Sequence, residues 1–284
     1  MKKKEEKREG FYEVPISKWE QIHDFQMDGW IYRGQKDSTK PLKTTLERTC
    51  KNYGAPEVSL EKARVIENVL LREFKRKYHH YSQHIPGRRK TLEWLSLMQH
   101  YGAPTRLLDF TYSVYVAAYF ALEEALASEE ADKGYAVWAI SVDWATKESA
   151  KLFEKEPEVK EYFERFIEEE KEKLFEKAFQ RPDPKTFACP QNPIKLNERL
   201  TIQKGIFMCP GDVTKPFEDN LCNLQGWKEK QNLVEIIISE QLRRKALDKL
   251  YDMNITRAAL FPGLDGFTQS LKVSFPKRWD RLNY

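Results

Sequence analysis

The chain has 284 residues, enough for one large domain or two small ones, and its 40% hydrophobic residues supply a real core beneath a surface made ionic by 32% charged residues. Lysine plus arginine exceed aspartate plus glutamate by only 48 to 44, so the net charge of +4 gives weak support to nucleic-acid binding. No apolar run approaches the roughly 20 residues that cross a bilayer, and Cys50, Cys189, Cys209 and Cys222 have no CxxC spacing, which argues against a zinc site or a disulfide framework and for a cytoplasmic protein away from the membrane.

Residues 1–14 read as a disordered tail, because Met1 to Arg8 mixes lysine with glutamate and lacks the apolar core of a signal peptide. Ser17-Lys18-Trp19-Glu20 fits a capping box that opens a short helix through Phe25. Asp28-Gly29 then turns the chain into a short strand, Trp30 to Arg33, with Gly34 and Gln35 after it. An arginine at a strand end beside a glycine can approach a bound phosphate closely; it can equally be a surface arginine before a turn. Residues 38 to 55 suggest a loop with a little helix. Pro56 to Tyr81 predicts a long helix with an apolar stripe of Leu60, Ala63, Ile66, Leu70, Phe74 and Tyr78. His79, His80 and His84 follow with spacing that allows a metal pair, but no carboxylate or cysteine completes it, so they read as surface histidines and no metal is expected.

The stretch Trp94 to Ala121 carries the most information. Leu92, Leu95 and Met98 recur at helical spacing after Thr91 as N-cap, and Gly102 with Pro104 stops the helix. His100 falls in the last turn, where the helix dipole favours a protonated imidazole. Thr105 to Thr111 reads as a strand, with Thr105, Leu107, Asp109 and Thr111 on one face and Arg106, Leu108 and Phe110 on the other. Ser113 caps the next helix, whose Val114, Ala117, Ala118 and Ala121 are small enough for close packing.

Gly134 to Val142 is almost wholly apolar and predicts a buried central strand. Residues 145–180 are helical, charged and broken at Pro157; their thin stripe of Phe163, Phe166, Ile167, Leu174 and Phe175 suggests a solvated arm laid on the body, or else a partner-binding arm. Pro182 to Pro193 reads as a loop serving as lid or edge cover. Asn197 to Cys209 predicts two strands with a turn at Lys204-Gly205, or one strand kinked there, with Arg199, Thr201 and Gln203 on one face. Residues 210 to 231 read as loop. Leu233 to Ser239 is a strong strand, Glu240 to Leu250 a helix, Thr256 to Phe261 a last short strand, and Pro262 to Gly266 a turn into a C-terminal helix.

Three segments therefore bring the polar set Arg33, Gln35, His100, Thr105, Arg106, Asp109, Thr111, Arg199 and Gln203. Arginines near glycines suit a diphosphate. Hydroxyls, an amide and an imidazole suit a ribose and a carboxamide. Asp109 or Glu198 can stabilise positive charge at a sugar carbon, and Tyr32, Tyr119 or Phe207 can stack on a flat ring. That inventory fits cleavage of a glycosidic bond through an oxocarbenium-like transition state. Against it stands the simpler reading that Arg106 and Asp109 form an internal ion pair and that His100 only ends its helix. P-loop, dinucleotide fingerprint, zinc-protease and serine-hydrolase motifs are absent.

Tyr32-Arg33-Gly34-Gln35, then Gln99-His100-Tyr-Gly-Ala-Pro-Thr105-Arg106-Leu-Leu-Asp109-Phe-Thr111 with Ala117 to Ala121, resembles the FRG domain, which is named for its Phe/Tyr-Arg-Gly motif. Arg199-x-x-x-Gln203-x-Gly205-x-Phe207 and Leu260 to Gly266 look like that family's later motif and ending, so the resemblance spans about residues 15 to 275, with 145–180 as an insertion. The family's layout is similar to that of ADP-ribosyltransferases, which hold NAD between two small sheets. The resemblance implies NAD as substrate, with Arg33, Gly34, Gln35, Thr105, Arg106, Thr111, Arg199 and Phe207 around it. His100, Asp109, Gln203 and Glu198 are the candidates for the chemistry. Gln203 stands where that layout has a glutamate, with Glu198 five residues earlier.

The expected fold is α+β, one domain over 15–284, with a central mixed twisted sheet, or two small sheets around a cleft, and helices around it. The expected function is an NAD-binding ADP-ribosyltransferase-like or NAD-glycohydrolase effector, a toxin or an anti-phage protein, whose acceptor is a protein or a nucleic acid. The alternatives are a non-catalytic nucleotide- or protein-binding module, and a nucleic-acid-binding protein.

Overall fold

The computed structural model describes residues 10–52, 59–123, 134–164, 171–195 and 197–279. Among the described residues seven strands pair into one open sheet: β1 (Glu13–Ile16), β2 (Trp30–Gln35), β3 (Leu108–Thr111), β4 (Tyr135–Ser141), β5 (Ala188–Gln191), β6 (Gly205–Pro210) and β7 (Leu233–Ile238). Their order is β1-β7-β4-β2-β3-β6-β5. Only β1 and β7 run parallel; every other pair is antiparallel, so the sheet is mixed and the fold α+β.

The helices are α1 (Thr45–Asn52), α2 (Ala63–Lys77), α3 (Thr91–His100), α4 (Val114–Leu122), α5 (Val142–Lys151) and α6 (Pro157–Glu164). Then follow α7 (Lys171–Phe179), α8 (Glu198–Ile202), α9 (Phe217–Cys222), α10 (Glu240–Asp252), α11 (Arg257–Leu260) and α12 (Leu264–Trp279). They cover both faces of the sheet. On one face Tyr32, Val137, Ala139, Val234, Ile236 and Ile238 meet α4, α10 and a 3-10 turn at Trp19–Phe25. On the other, Ile31, Ala136, Trp138 and Ile140 meet α3, α5, α6 and α7. Alternation along β4 therefore sends side chains into two separate cores, which is why the strand reads as continuously apolar.

Several expectations are corrected. The tail stops short of residue 14: Phe11 packs edge-on against Trp138 at 4.8 Å and Trp227 at 5.1 Å, and Glu13 already belongs to β1. Near Trp19 the Gln21 side chain, not Glu20, accepts the Lys18 N–H at 2.9 Å. The long helix expected from Pro56 is α2, which begins at Ala63; residues 53–58 lie outside the described residues. Thr91 does not cap α3. Its hydroxyl donates to Glu176 at 2.6 Å, and Glu172 of α7 accepts the Leu92 and Glu93 N–H groups at 2.9 and 3.3 Å. A carboxylate from another helix thus satisfies the orphan donors at the positive end of α3.

The charged segment does lie on the body through its apolar stripe, and more deeply than an arm laid on the surface would. Tyr162, Phe163, Leu174, Phe175 and Phe179 are buried in the larger core; Phe166 and Ile167 lie outside the described residues. The expected loop before Pro193 contains β5, an edge strand paired with β6. The segment 198–202 is helical, because Asn197 accepts the Leu200 N–H at 2.8 Å and so starts α8. Lys204, at φ 48°, ends it in the left-handed region and turns the chain into β6. Likewise Thr256 caps α11, accepting the Ala259 N–H at 3.2 Å, where a strand was expected. Extended pairing in the central stretch starts only at Leu108, since the Thr105 hydroxyl accepts the Leu107 N–H at 3.1 Å and bends the chain there.

Candidate functional site

β2 is bonded to β4 at six residue pairs but to β3 only at Tyr32 opposite Thr111. Beyond that pair the two strands part, and the Tyr32-Arg33-Gly34 run organises the opening. The Tyr32 hydroxyl donates to the Phe25 carbonyl and accepts the Met27 N–H at 3.0 Å, locking β2 to the Trp19–Phe25 turn. Arg33 reaches across the gap, its NH1 donating to the Asp109 carbonyl at 2.7 Å. Gly34 faces α4: a Cβ there would lie 2.0 Å from the Ala117 oxygen and 2.5 Å from the Ala121 nitrogen. The glycine is required for strand–helix contact, not for close approach of a ligand. The Gln35 amide holds the next turn, donating to the Asp37 carbonyl at 3.1 Å and to the Lys40 carbonyl.

Over this seam opens a cleft of about 840 Å³. Arg33, Gly34, Gln35, Asp109, Thr111, Arg199 and Gln203 line it, so the three segments do meet in space. Arg199 and Gln203 share a wall because they stand four apart on and just beyond a helical turn, not because they alternate along a strand. The Thr111 hydroxyl donates to the Gln203 carbonyl at 2.7 Å, and the Gln203 amide donates to the Leu260 carbonyl at 3.0 Å. Asp109 is exposed, and its Oδ2 accepts from the Gln99 amide at 2.6 Å. The Gln99 oxygen in turn accepts from Thr105 at 2.5 Å, which leaves the amide nitrogen free to face Asp109.

Other residues expected at the site stand elsewhere. Arg106 is buried, 1% exposed, and its Nε donates to Glu67 at 2.8 and 3.0 Å, with NH2 on the same carboxylate and NH1 on the Phe179 carbonyl at 2.6 Å. It therefore pairs with Glu67 of α2, not with Asp109. Burial alone would lower the Arg106 pKa, but the Glu67 carboxylate outweighs it and raises the value. Thr105 is buried beneath α1, and Phe207 is buried in the core, so neither touches the cleft. Glu198 is exposed in the first turn of α8, away from the lining. His100 also lies off the lining, and the dipole argument for its protonation fails: burial, then the Arg199 charge, lowers its pKa. Tyr119 is buried, its hydroxyl donating to Glu123 at 2.8 Å, and burial followed by that carboxylate raises its pKa. Among the described residues no cluster of histidine, cysteine, aspartate and glutamate could hold a metal.

Sequence reasoning missed much of the wall: Lys36, Lys40, Lys43, Arg48, Glu123, Arg257 and Phe261. Four of those cations recur between residues 36 and 48, a legible signal that a loop assignment passed over. The cleft's lysines and arginines outnumber Asp37, Asp109 and Glu123. Burial lowers the pKa values of Arg33, Lys36 and Arg199; Asp109 opposes it at both arginines and Glu123 at the lysine. Arg257 donates to Glu123 at 2.8 Å.

Residues 28–130 match the FRG domain. The matched stretch contains β2, β3 and α4, hence Arg33, Gly34, Asp109 and Thr111, whereas Arg199, Gln203, Arg257 and Phe261 come from beyond it. No curated protein and no solved structure matches the chain. Among the described residues no helix is long and apolar enough to cross a membrane.

Proposed function

The chain carries an FRG domain, and from the cleft that its first strand opens we propose that it binds NAD or a related nucleotide and acts as an ADP-ribosyltransferase-like enzyme or NAD glycohydrolase. One observation carries this reading: an exposed carboxylate, Asp109, sits in a cleft whose charged walls are otherwise mainly cationic. Phosphates go to the cations, because guanidinium and phosphate pair through forked, charge-assisted hydrogen bonds. The carboxylate is then left for the carbon that becomes positive. In the reaction the bond between ribose C1′ and the nicotinamide nitrogen breaks, and nicotinamide leaves with the electron pair. Asp109 stabilises the oxocarbenium charge until water or an acceptor side chain attacks. Gln99 orients Asp109 through the 2.6 Å hydrogen bond. Arg33 has a double role, joining β2 to the Asp109 backbone and presenting its remaining N–H groups to the ligand.

A specific observation favours a second reading, a nucleotide-binding module without turnover. Gln203, in the place of a late glutamate, has its amide on the Leu260 carbonyl, and Glu198 does not line the cleft. The two readings separate on incubation of pure protein with NAD, with free nicotinamide followed by chromatography for the native chain, Arg33→Ala and Asp109→Asn. Release by the native chain, lost in Asp109→Asn at an unchanged melting temperature, supports catalysis. A rise in melting temperature with NAD but no nicotinamide supports the module. Absence of both responses would sink the NAD reading.

A further inference from the structure

The wall formed by α8 and α11 contains an arrangement that the seam does not explain. Arg199 and Arg257 both lie against the ring of Phe261, their guanidinium carbons 4.5 and 4.6 Å from its centroid. Each distance is within the range of a cation–π contact. The ring itself is fixed from two sides. Phe120 meets it edge-on at 5.9 Å, and Gln203 donates to the carbonyl of the preceding residue, Leu260, at 3.0 Å.

Holding two like charges on one ring is unfavourable unless something compensates them. Arg257 is compensated by Glu123 at 2.8 Å. Arg199 forms no ion pair among the described residues, and burial together with Arg257 lowers its pKa. A half-buried guanidinium in an open cleft presents a forked donor, and Arg257 beside it, already paired with Glu123, adds a second positive charge. A diphosphate presents two adjacent anions. We propose that Arg199 and Arg257, held side by side on Phe261, form the diphosphate subsite of the cleft, with Phe261 as the residue that positions them. The inference rests on the nucleotide reading above. It assigns the phosphates to the α8–α11 wall and leaves Asp109 for the sugar.

The test measures binding of inorganic pyrophosphate and of NAD by calorimetry, with melting temperatures alongside. The variants are Phe261→Leu, Phe261→Tyr and Arg199→Lys. Phe261→Leu removes both ring contacts and is expected to weaken pyrophosphate about tenfold. Phe261→Tyr keeps the ring and is expected to bind as the native chain does. Arg199→Lys keeps the charge, loses the fork, and is expected to weaken both ligands even should Phe261→Leu fail to fold. Native-like pyrophosphate affinity in Phe261→Leu and Arg199→Lys, with NAD still bound, would overturn the subsite and leave the nucleotide reading standing. A native chain that binds neither ligand would overturn both.

Discussion

Replacing Arg106 by methionine tests whether the central arginine belongs to the fold or to the ligand. Arg106 is 1% exposed and Glu67 0%, and the guanidinium makes its hydrogen bonds to that carboxylate and to the Phe179 carbonyl. Methionine fills much of the volume but leaves the Glu67 carboxylate buried without its cation. Breaking a buried pair in this way costs about 3–5 kcal/mol. The lost Phe179 contact is already partly contained in that figure, because the two are not additive. In a chain of this size each kcal/mol moves the melting temperature by roughly 2–4 °C, so a fall of about 10 °C is expected. Replacing both partners, Glu67→Leu with Arg106→Met, removes the unpaired charge and should restore stability to within about 1–2 kcal/mol of the native chain. Urea unfolding followed by circular dichroism measures all three proteins. Because neither residue lines the cleft, any affinity for NAD that the native chain has should be unchanged in the double variant. A single variant within about 1 kcal/mol of native would refute the buried-pair argument. A stable double variant that has lost NAD binding would return Arg106 to the site.

Gly34→Ala drives a Cβ to 2.0 Å from the Ala117 oxygen, and backbone cannot step aside as a flexible side chain can, so overpacking should cost about 1–3 kcal/mol or more; a melting temperature equal to native would remove the packing explanation of the glycine. His100 tests the environment of α3 through pH. Its folded pKa is lowered by burial and then by Arg199, so between the unfolded value near 6.5 and the folded value the unfolded chain binds more protons. Stability should therefore fall as pH drops through that window, and His100→Gln should fall less; parallel melting curves for the two proteins between pH 8 and 5 would refute the assignment.

The strands with a single clear period were legible, and so were the elements whose caps sit beside them. β4 reads as buried because both its faces are covered, and Ser113 starts α4 by accepting the Val116 N–H at 3.3 Å. What failed shows where local pattern competes with tertiary structure. Residues 199–203 alternate polar and apolar as a strand would, yet Asn197 and Lys204 bound a single helical turn, and five residues are too few for period to decide. Glu172 capping α3 from 80 residues away leaves no trace in the sequence around Thr91. Glu67 sat unnoticed in a charged helix; its signal was a carboxylate among the buried positions Ala63 and Leu71, which calls for a buried cation. At the site, the residues named from the three segments separate by the direction in which their side chains face. Arg33, Asp109, Thr111, Arg199 and Gln203 reach the cleft, while Arg106 and Thr105, from the same short stretch, turn inward.

That inward turn changes what the Tyr-Arg-Gly run means. Each of its residues holds part of the fold in place. Tyr32 locks the Trp19–Phe25 turn, Gly34 admits α4, and Arg33 bridges to β3 through the Asp109 carbonyl. The bridge comes just past Tyr32 and Thr111, the single pair that joins the β1-β7-β4-β2 half of the sheet to the β3-β6-β5 half. Removing Arg33 therefore takes away a cation in the cleft and a fastening of the residue that carries the carboxylate. Lost activity in Arg33→Ala would follow from either cause. Asp109→Asn is the sharper perturbation, since an asparagine oxygen can still accept from Gln99 and the Arg33 bridge runs through the backbone. It deletes the charge and leaves the fastening, so a defect there belongs to the carboxylate's charge and not to the seam.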